Sequence, residues 1–186
     1  MIRAAILSLV LIMAGFSSAS ASECGKLCDR DWWKTATQEE VAAEIATVDV
    51  NARDDTGSTP LHWTASRGTV ANVTALLQRG AKVNARKRSG ATPLIVAAGK
   101  DTAMVIALLD AGADVNVRGL AAMTPLHWAA FSGSSASVIA LLAAGADGRA
   151  RDDTGYTPFF YADTLKRREE FVGTEGYWAL HDAQYD

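Results

Sequence analysis

The sequence predicts an all-α fold, a solenoid of stacked helix-turn-helix units, and three observations support this class. The prolines of the 186-residue chain, Pro60, Pro93, Pro125 and Pro158, follow one another at steps of 33, 32 and 33 residues. Each proline follows a threonine, and the first three precede an alanine-rich stretch and then a leucine-rich one. A fixed period of this length is typical of repeat proteins, in which each unit buries its apolar face against the next. We number the units 1 to 4 after these prolines.

The first 21 residues have the pattern of a cleavable secretory signal peptide. Arg3 gives a positive start, residues 4–16 form an apolar run, and residues 19–21 offer a small-residue cleavage site. The apolar run is too short to span a bilayer comfortably, so we expect cleavage after Ala21 rather than a retained anchor. The expected product is a periplasmic or secreted protein with no membrane insertion after cleavage.

Charge and motif content argue against several classes of function. The formal net charge is −3, whereas nucleic-acid binding requires a clustered basic face. The sequence contains no G-x-S-x-G nucleophile motif, no H-E-x-x-H zinc motif and no P-loop. We therefore predict a protein that is not an enzyme, that uses no cofactor or metal, and that does not bind nucleic acid.

Cys24 and Cys28 begin the segment 22–48 that precedes the repeats. Two cysteines four residues apart in an exported chain favour a local disulfide. Three alternatives stay open from the sequence: a pair of free thiols, a thiol-redox factor, or a copper-handling factor in which the pair supplies soft ligands. A copper site would need a third ligand, and no histidine lies within the first 60 residues.

Residues 29–50 are predicted to form a divergent N-terminal capping repeat that contains two short helices. The second of these is expected to begin at Thr37, which fits a capping box with Glu40 three residues later. A terminal repeat lacks one neighbour, so its core needs a lid. We expect Trp32 and Trp33 to supply that lid, although the pair also suits a binding site.

Units 1 to 3 share one internal plan, in which a turn leads to a short first helix and then to an amphipathic second helix. Proline suits the first helical turn because its missing N–H has no intrahelical acceptor there. The first helices are predicted over 61–67, 94–99 and 126–132, with Gly68 and Gly133 ending two of them at positive φ. The second helices carry a valine and two leucines at i, i+3 and i+4, which form an apolar stripe. These stripes are Val73, Leu76 and Leu77; Val105, Leu108 and Leu109; and Val138, Leu141 and Leu142.

Three recurring motifs resemble the signatures of ankyrin repeats. They are D-x-x-G-x-T-P-L at 54–61, L-L-x-x-G-A-D-V-N at 108–116, and T-P-L-H-x-A-A at 124–130. The resemblance covers residues 49–163 and leaves 164–186 as a C-terminal capping segment. It implies a curved stack with β-hairpin fingers, formed by the turns before each Thr-Pro, and it implies binding of another protein through the finger tips and first helices. We expect the chain to be monomeric on its own.

His62 and His127 occupy the T-P-x-H position, for which the resemblance implies structural hydrogen bonds to the local backbone and the neighbouring unit. Packed helices lie about 10 Å apart, so residues two repeats apart are separated by about 20 Å. One zinc ion with bonds of about 2 Å could not use both imidazoles. Trp63, Trp128 and Tyr161 share the next position, where we expect core packing, with exposed edges as possible contributors to a partner site.

The predicted partner surface lies where unit 3 departs from the repeat pattern. Its turn, residues 118–123, is apolar, and Ala122 replaces the glycine of the other turns. An apolar centre with a charged rim is the anatomy of an interface hot spot. The predicted partner-binding residues are Leu120, Met123, Phe131 and Tyr156 at the centre, with Arg67, Arg88, Lys100, Asp55 and Asp153 around it. Two alternatives are that Leu120 and Met123 fold under a rearranged finger, and that the acidic pairs 54–55 and 152–153 are solvated turn tips.

The expected function is non-covalent binding of another exported protein on a rigid, preformed surface. A narrower version is an inhibitor or immunity protein for an exported enzyme. An alternative from a different class is the thiol-redox or copper-handling factor built on Cys24 and Cys28.

Overall fold

The structure, a computed structural model, describes residues 24–164 and 171–185. The predicted signal peptide lies outside these ranges, as do residues 165–170 and 186 of the C-terminal segment. Within them the all-α prediction is confirmed, since the regular elements are α-helices and short 3-10 turns, with no β-strand. The helices are α1 (Gln38–Thr47), α2 (Pro60–Arg67), α3 (Val70–Gln78), α4 (Pro93–Ala98), α5 (Thr102–Asp110), α6 (Pro125–Ser132), α7 (Ser135–Ala143), α8 (Pro158–Thr164) and α9 (Glu175–Tyr185).

These helices form two rows. The first helices of the units, α2, α4, α6 and α8, pack against one another in chain order, and α1, α3, α5, α7 and α9 form the second row. The predicted valine and leucine stripes face the core: the valine and the first leucine of each stripe are fully buried, and the second leucine is half-buried. Buried alanines such as Ala97 and Ala129 let neighbouring first helices approach closely. The two rows therefore enclose one continuous apolar core.

Asparagine and arginine side chains tie each unit to the next. The amide of Asn51 donates to the carbonyl of Gly80 at 3.0 Å and accepts from the N–H of Lys82 at 2.9 Å. Asn84 and Asn116 make the same pair of bonds one and two units further on. Arginine side chains make a second set of bonds between units. The guanidinium of the arginine that precedes each turn donates to the backbone carbonyl of the equivalent arginine in the next unit. The pairs are Arg53 to Arg86, Arg86 to Arg118, and Arg118 to Arg151.

The N-terminal capping segment closes one end of the core. The predicted capping box is confirmed, since Thr37 accepts from the Glu40 N–H and the Glu40 carboxylate accepts from the Thr37 N–H. Trp32 and Trp33 are partly buried and pack against the core, as expected for a lid. The indole N–H of Trp33 donates to the carbonyl of Leu27 at 2.8 Å, which fixes this ring over the end of the stack.

The C-terminal capping segment closes the other end. Phe171, Tyr177 and Leu180 are buried, and α9 packs against α7 and α8 in the place of a second helix for unit 4. Trp178 lies on the opposite side of the helix and is 52% exposed. A Cβ at Gly176 would lie 2.6 Å from the Ser135 Cα, so this close packing of α9 on α7 requires glycine.

Two local predictions differ from what the structure shows. The predicted β-hairpin fingers are not visible as strands in the described chain, where each turn is closed by two backbone hydrogen bonds, such as Asp54 N–H to Ser58 carbonyl and Gly57 N–H to Asp54 carbonyl. Gly68 ends α2 with a φ of −87°, not with a positive φ, whereas Gly133 has the predicted left-handed conformation at 71°. Glycine is needed at 68 for space, since a Cβ there would lie 2.6 Å from the Thr64 Cγ2.

The unit 3 turn is strained. Ala121 and Ala122 have φ values of 54° and 55°, in the left-handed region that costs a residue with a Cβ roughly 1–2 kcal/mol. The equivalents of Ala122 in the other turns are the glycines Gly57, Gly90 and Gly155, all with positive φ. Unit 3 therefore has the left-handed conformation at 122 without a glycine, and it adds a second such residue at Ala121, whose equivalents Thr56, Ser89 and Thr154 have no positive φ.

We expect Ala122→Gly to raise the free energy of unfolding by about 1 kcal/mol, because it removes this strain and the gain exceeds the entropic cost of glycine. Urea unfolding of the purified protein measures the change. Ala111→Gly is the control: Ala111 is exposed and has an ordinary φ of −83°, so the same exchange there should lower stability. Equal effects at the two positions would contradict the strain at 122.

Candidate functional site

A cavity of about 710 Å³ opens on the face formed by the turns and first helices of units 1 to 3. Its apolar lining comes from Ile95, Val96, Leu120, Trp128 and Phe131. Serines 66, 89 and 132, two small residues and two lysines complete the lining. We call this cavity the central groove. Its volume is in the range of ligand-binding clefts.

Two of the apolar residues of the central groove are unusually exposed for their size. Leu120 is 63% exposed at the tip of the unit 3 turn, and Phe131 is 46% exposed near the end of α6. Trp128 lies between Phe131, whose ring centre is 6.1 Å away, and a small buried cluster that contains Ile95. Exposed apolar side chains over a buried base are what a partner can cover.

The central groove arises because units 2 and 3 lack a contact between turn and first helix that unit 1 has. Asp54 at the start of the turn accepts from the Thr56 and Ser58 N–H groups, and its second oxygen accepts from the Trp63 indole N–H at 2.8 Å. These donors outweigh burial, which alone would raise the pKa of Asp54, and hold that pKa below its usual value. Turn and helix are thus joined by a polar network.

Unit 4 repeats this network with different residues. Asp152 accepts from the Thr154 and Tyr156 N–H groups and from the Tyr161 hydroxyl. Burial would raise the pKa of Asp152, but these hydrogen bonds outweigh it and the pKa is strongly lowered. The hydrogen bond from the Tyr161 hydroxyl to the Asp152 carboxylate raises the pKa of Tyr161. Residues 54 and 152, and likewise 63 and 161, therefore play equivalent roles.

Unit 3 lacks the network, because Gly119 stands where units 1 and 4 have aspartate. Among the described residues, the Trp128 indole N–H has no acceptor although it is buried. The neighbouring unit contributes to the change, since Ile95 replaces the motif histidine and its Cδ1 lies 2.8 Å from where a Gly119 Cβ would be. The polar connection found at both ends of the stack is replaced at its middle by apolar side chains. These side chains form the central groove.

The charged residues of the groove are positive. Lys87 and Lys100 both line it, and the Lys100 ammonium donates to the Ser66 hydroxyl at 2.8 Å. Burial lowers the pKa of Lys100, and repulsion from Arg67 and Lys87 lowers it further. Arg67 lies with its guanidinium 5.8 Å from the centre of the Trp63 ring, in a cation–π contact. Several positive charges therefore gather at one side of the groove.

The structure brings some of the predicted partner residues together and separates others. Leu120, Phe131 and Lys100 all line the central groove. Arg67 and Arg88 are exposed beside it, whereas Met123 is half-buried, so only Leu120 of the predicted apolar pair is freely presented. Asp55 and Asp153 are exposed at the turn tips of units 1 and 4.

Tyr156 belongs to a neighbouring aromatic cluster. It is 44% exposed and stacks on Phe160, with ring centres 3.7 Å apart. It also meets Tyr161 edge-on, and Tyr161 in turn lies 6.2 Å from the Phe131 ring. Tyr156 is therefore linked to the groove through Tyr161 without lining it, and with Phe160 it lines a smaller separate cavity of about 240 Å³.

The predicted partner surface did not include Ile95, and it included Trp128 only as a core residue whose exposed edge could contribute. The signal for both is the difference between units, because Ile95 replaces a histidine and Gly119 removes the carboxylate that would bind the indole. The second of these differences is visible at the turn starts, which are Asp54, Lys87, Gly119 and Asp152.

The motif histidines hold the turns to the first helices. The Nδ1 of His62 accepts from the Thr59 N–H at 3.1 Å, and its Nε2 donates to the Ala91 carbonyl in the next unit at 3.0 Å. His127 does the same with Thr124 and Tyr156. Burial lowers the pKa of His62 to about 4 and also lowers that of His127. Both rings are thereby neutral at pH 7, and both ring nitrogens are occupied.

Cys24 and Cys28 lie side by side at the start of the described chain. Their Cα atoms are 5.7 Å apart, within the range that a disulfide spans. Cys24 is fully buried, which leaves little access for an exchanging thiol. In the described part of the chain no group of three or more His, Cys, Asp and Glu residues is arranged to hold a metal ion. A structural bridge stays the prediction for this pair.

The helices of residues 24–164 and 171–185 include none that is both long and apolar enough to cross a bilayer. The longest described helix, α9, has 11 residues.

Comparison with protein-family models identifies the repeats. A model of ankyrin repeats in three copies matches residues 35–119, and a model of a single ankyrin repeat matches residues 123–153. The first match begins before unit 1 and so includes α1 of the N-terminal segment. Ankyrin repeats indicate a protein-protein interaction module, and they are typically non-enzymatic. The two matches together span more than half of the chain, and the protein therefore belongs to the ankyrin-repeat family.

Proposed function

We propose that this protein is an exported binding module that holds another exported protein non-covalently through the central groove. The observation that carries the proposal is the pair of large apolar side chains, Leu120 and Phe131, exposed over a buried apolar base and beside a cluster of cations. Export, to the periplasm or outside the cell, is supported by the signal-peptide pattern of residues 1–21.

The proposed mechanism depends on a preformed surface. Each unit is fixed to its neighbours by the asparagine and arginine bonds, so the turns and first helices are positioned before a partner arrives. A rigid surface loses little conformational freedom on binding, which leaves more of the contact energy as affinity. Burial of Leu120 and Phe131 would provide the apolar part of that energy.

We expect Phe131→Ala and Leu120→Asp each to abolish capture of the partner, with a loss of at least about 2 kcal/mol in binding free energy. Leu120 is 63% exposed and Phe131 46% exposed, so the thermal midpoint should stay nearly unchanged. The measurement is affinity purification with tagged protein from extract, followed by titration of the purified partner.

Ile106→Ala and Ile106→Asp are the matched controls. Ile106 is 46% exposed, like Phe131, but lies on α5 in the second row of helices, away from the groove. Retained capture by the groove variants, or equal losses from the Ile106 variants, would rule the groove out as the binding surface. Unfolding of the groove variants would show instead that these residues belong to the core.

A further inference from the structure

We infer that the central groove takes an extended acidic segment of the partner, with one large apolar side chain against Trp128 and Phe131 and carboxylates beside Lys87 and Lys100. This inference rests on the proposed function and specifies the chemistry of the segment that is bound.

The first argument is charge. Lys87 and Lys100 line the groove, and Arg67 lies near enough to lower the pKa of Lys100 through repulsion. Across the described ranges, the groove lining contains no carboxylate, and no ion pair is formed by either lysine. The Lys100 ammonium instead donates to the hydroxyl of Ser66. These positive charges are left uncompensated by the chain and favour a negatively charged ligand.

The second argument is where the chain uses its own carboxylates. Asp54 and Asp152 face inward and accept from their own turns, so they do not offset the lysines. Asp55 and Asp153 are exposed at the turn tips of units 1 and 4, and neither lines the groove. The turn tips along the stack, Asp55, Arg88, Leu120 and Asp153, are thus acidic, basic, apolar and acidic in order. A partner that is acidic opposite unit 2 and apolar opposite unit 3 complements this order.

The third argument is the apolar half of the groove. Leu120, Trp128 and Phe131 leave a cavity wide enough for an aromatic or branched side chain. Trp128 also carries a donor without an acceptor, whereas its equivalents in units 1 and 4 bind a carboxylate. This N–H is buried beneath the surface, so the wall that a ligand would meet in this half of the groove is apolar.

The size of the groove suits an extended segment. Its lining runs from Ser66 on α2 to Ser132 on α6, which is two helix spacings, or about 20 Å. An extended chain rises about 3.3 Å per residue, so about six residues cover this distance. A carboxylate near Lys100 and an apolar side chain near Phe131 can then belong to the same short segment.

A random 12-residue peptide library displayed on phage and selected on the purified full-length protein tests the inference. We expect the enriched sequences to place Asp or Glu within a few positions of an aromatic or branched apolar residue. A synthetic peptide of the enriched sequence, labelled with a fluorophore, then gives dissociation constants by anisotropy. The double variant Lys87→Glu/Lys100→Glu should bind it at least about tenfold more weakly, and added salt should weaken binding to the wild type.

Lys82→Glu is the control for charge, because Lys82 is exposed but outside the groove lining, and it should leave the dissociation constant unchanged. Failure to enrich any peptide, enrichment without acidic residues, or equal binding by the double lysine variant would each overturn the inference. The inference can fail while the proposed function stands: if Phe131→Ala abolishes partner capture while the double lysine variant captures normally, the groove binds a partner whose segment is not acidic. Retained capture by Phe131→Ala would instead contradict the proposed function.

Discussion

Acidification from pH 7 to pH 4 is expected to remove roughly 3 kcal/mol from the free energy of unfolding through His62 alone. Burial lowers the pKa of this imidazole from 6.5 to about 4, and each pKa unit corresponds to about 1.4 kcal/mol. Between these two pH values the unfolded chain binds the proton and the folded chain does not. The stabilisation is therefore complete above pH 6.5, falls as the pH drops, and levels off below pH 4. His127, whose pKa is also lowered by burial, adds a loss of the same sign.

His62→Ile is the variant that isolates this effect, because unit 2 already has an isoleucine, Ile95, at the equivalent position. The variant loses the bonds to Thr59 and Ala91 and is expected to be less stable at pH 7. Its stability should however change less between pH 7 and pH 4 than that of the wild type. Urea unfolding at a series of pH values measures both curves. Parallel curves would show that His62 is protonated equally easily in the folded and unfolded chain.

Asp152→Ala is expected to lower the free energy of unfolding by about 3 kcal/mol. The carboxylate accepts from two backbone N–H groups, from the Thr154 hydroxyl and from the Tyr161 hydroxyl. Hydrogen bonds to a charged group contribute about 1.5–3 kcal/mol each, and the loss is less than their sum because the exposed donors can bind water. The effect should be larger than that of any surface charge in the turns.

Asp153→Ala is the matched control, since Asp153 is the next residue in the same turn and its side chain is exposed. It should change stability by less than about 0.5 kcal/mol. Thermal and urea unfolding of both variants at pH 7 give the comparison. Similar losses from the two variants would mean that net charge at this end of the stack matters, and that the network around Asp152 does not.

The helices could be predicted from the sequence because their signals are local. The Thr-Pro steps place the starts of the first helices, and the stripe of Val105 and Leu108 places the buried face of α5. The backbone conformation at the end of α2 could not be predicted in the same way. Glycine at a helix end suggests positive φ, but at Gly68 the cause is the closeness of Thr64, a packing fact that periodicity does not contain. The β-hairpins could not be predicted for a similar reason. A sequence motif indicates that the chain turns, but not how many backbone hydrogen bonds form on either side of the turn.

The candidate site could be predicted only in part. Leu120, Phe131 and Lys100 stand out as unusual residues at variable positions, and they do line the groove. The cavity itself depends on Gly119 in one unit and Ile95 in another, which act together only after the units have stacked. Neither position alone predicts the cavity, because it depends on the contact between the two units.

The replacement of the motif histidine by Ile95 has a consequence for how the stack unfolds. An imidazole joins unit 1 to unit 2 and unit 3 to unit 4, but the junction between units 2 and 3 has an isoleucine instead. In a linear array, cooperativity depends on the coupling between nearest neighbours, and the weakest junction is where it breaks first. We expect the junction between units 2 and 3 to be the first to separate on unfolding, because it alone among the three junctions lacks the imidazole bond. The central groove spans that junction. A bound segment would therefore couple units 1 and 2 to units 3 and 4, so that all four unfold in one transition.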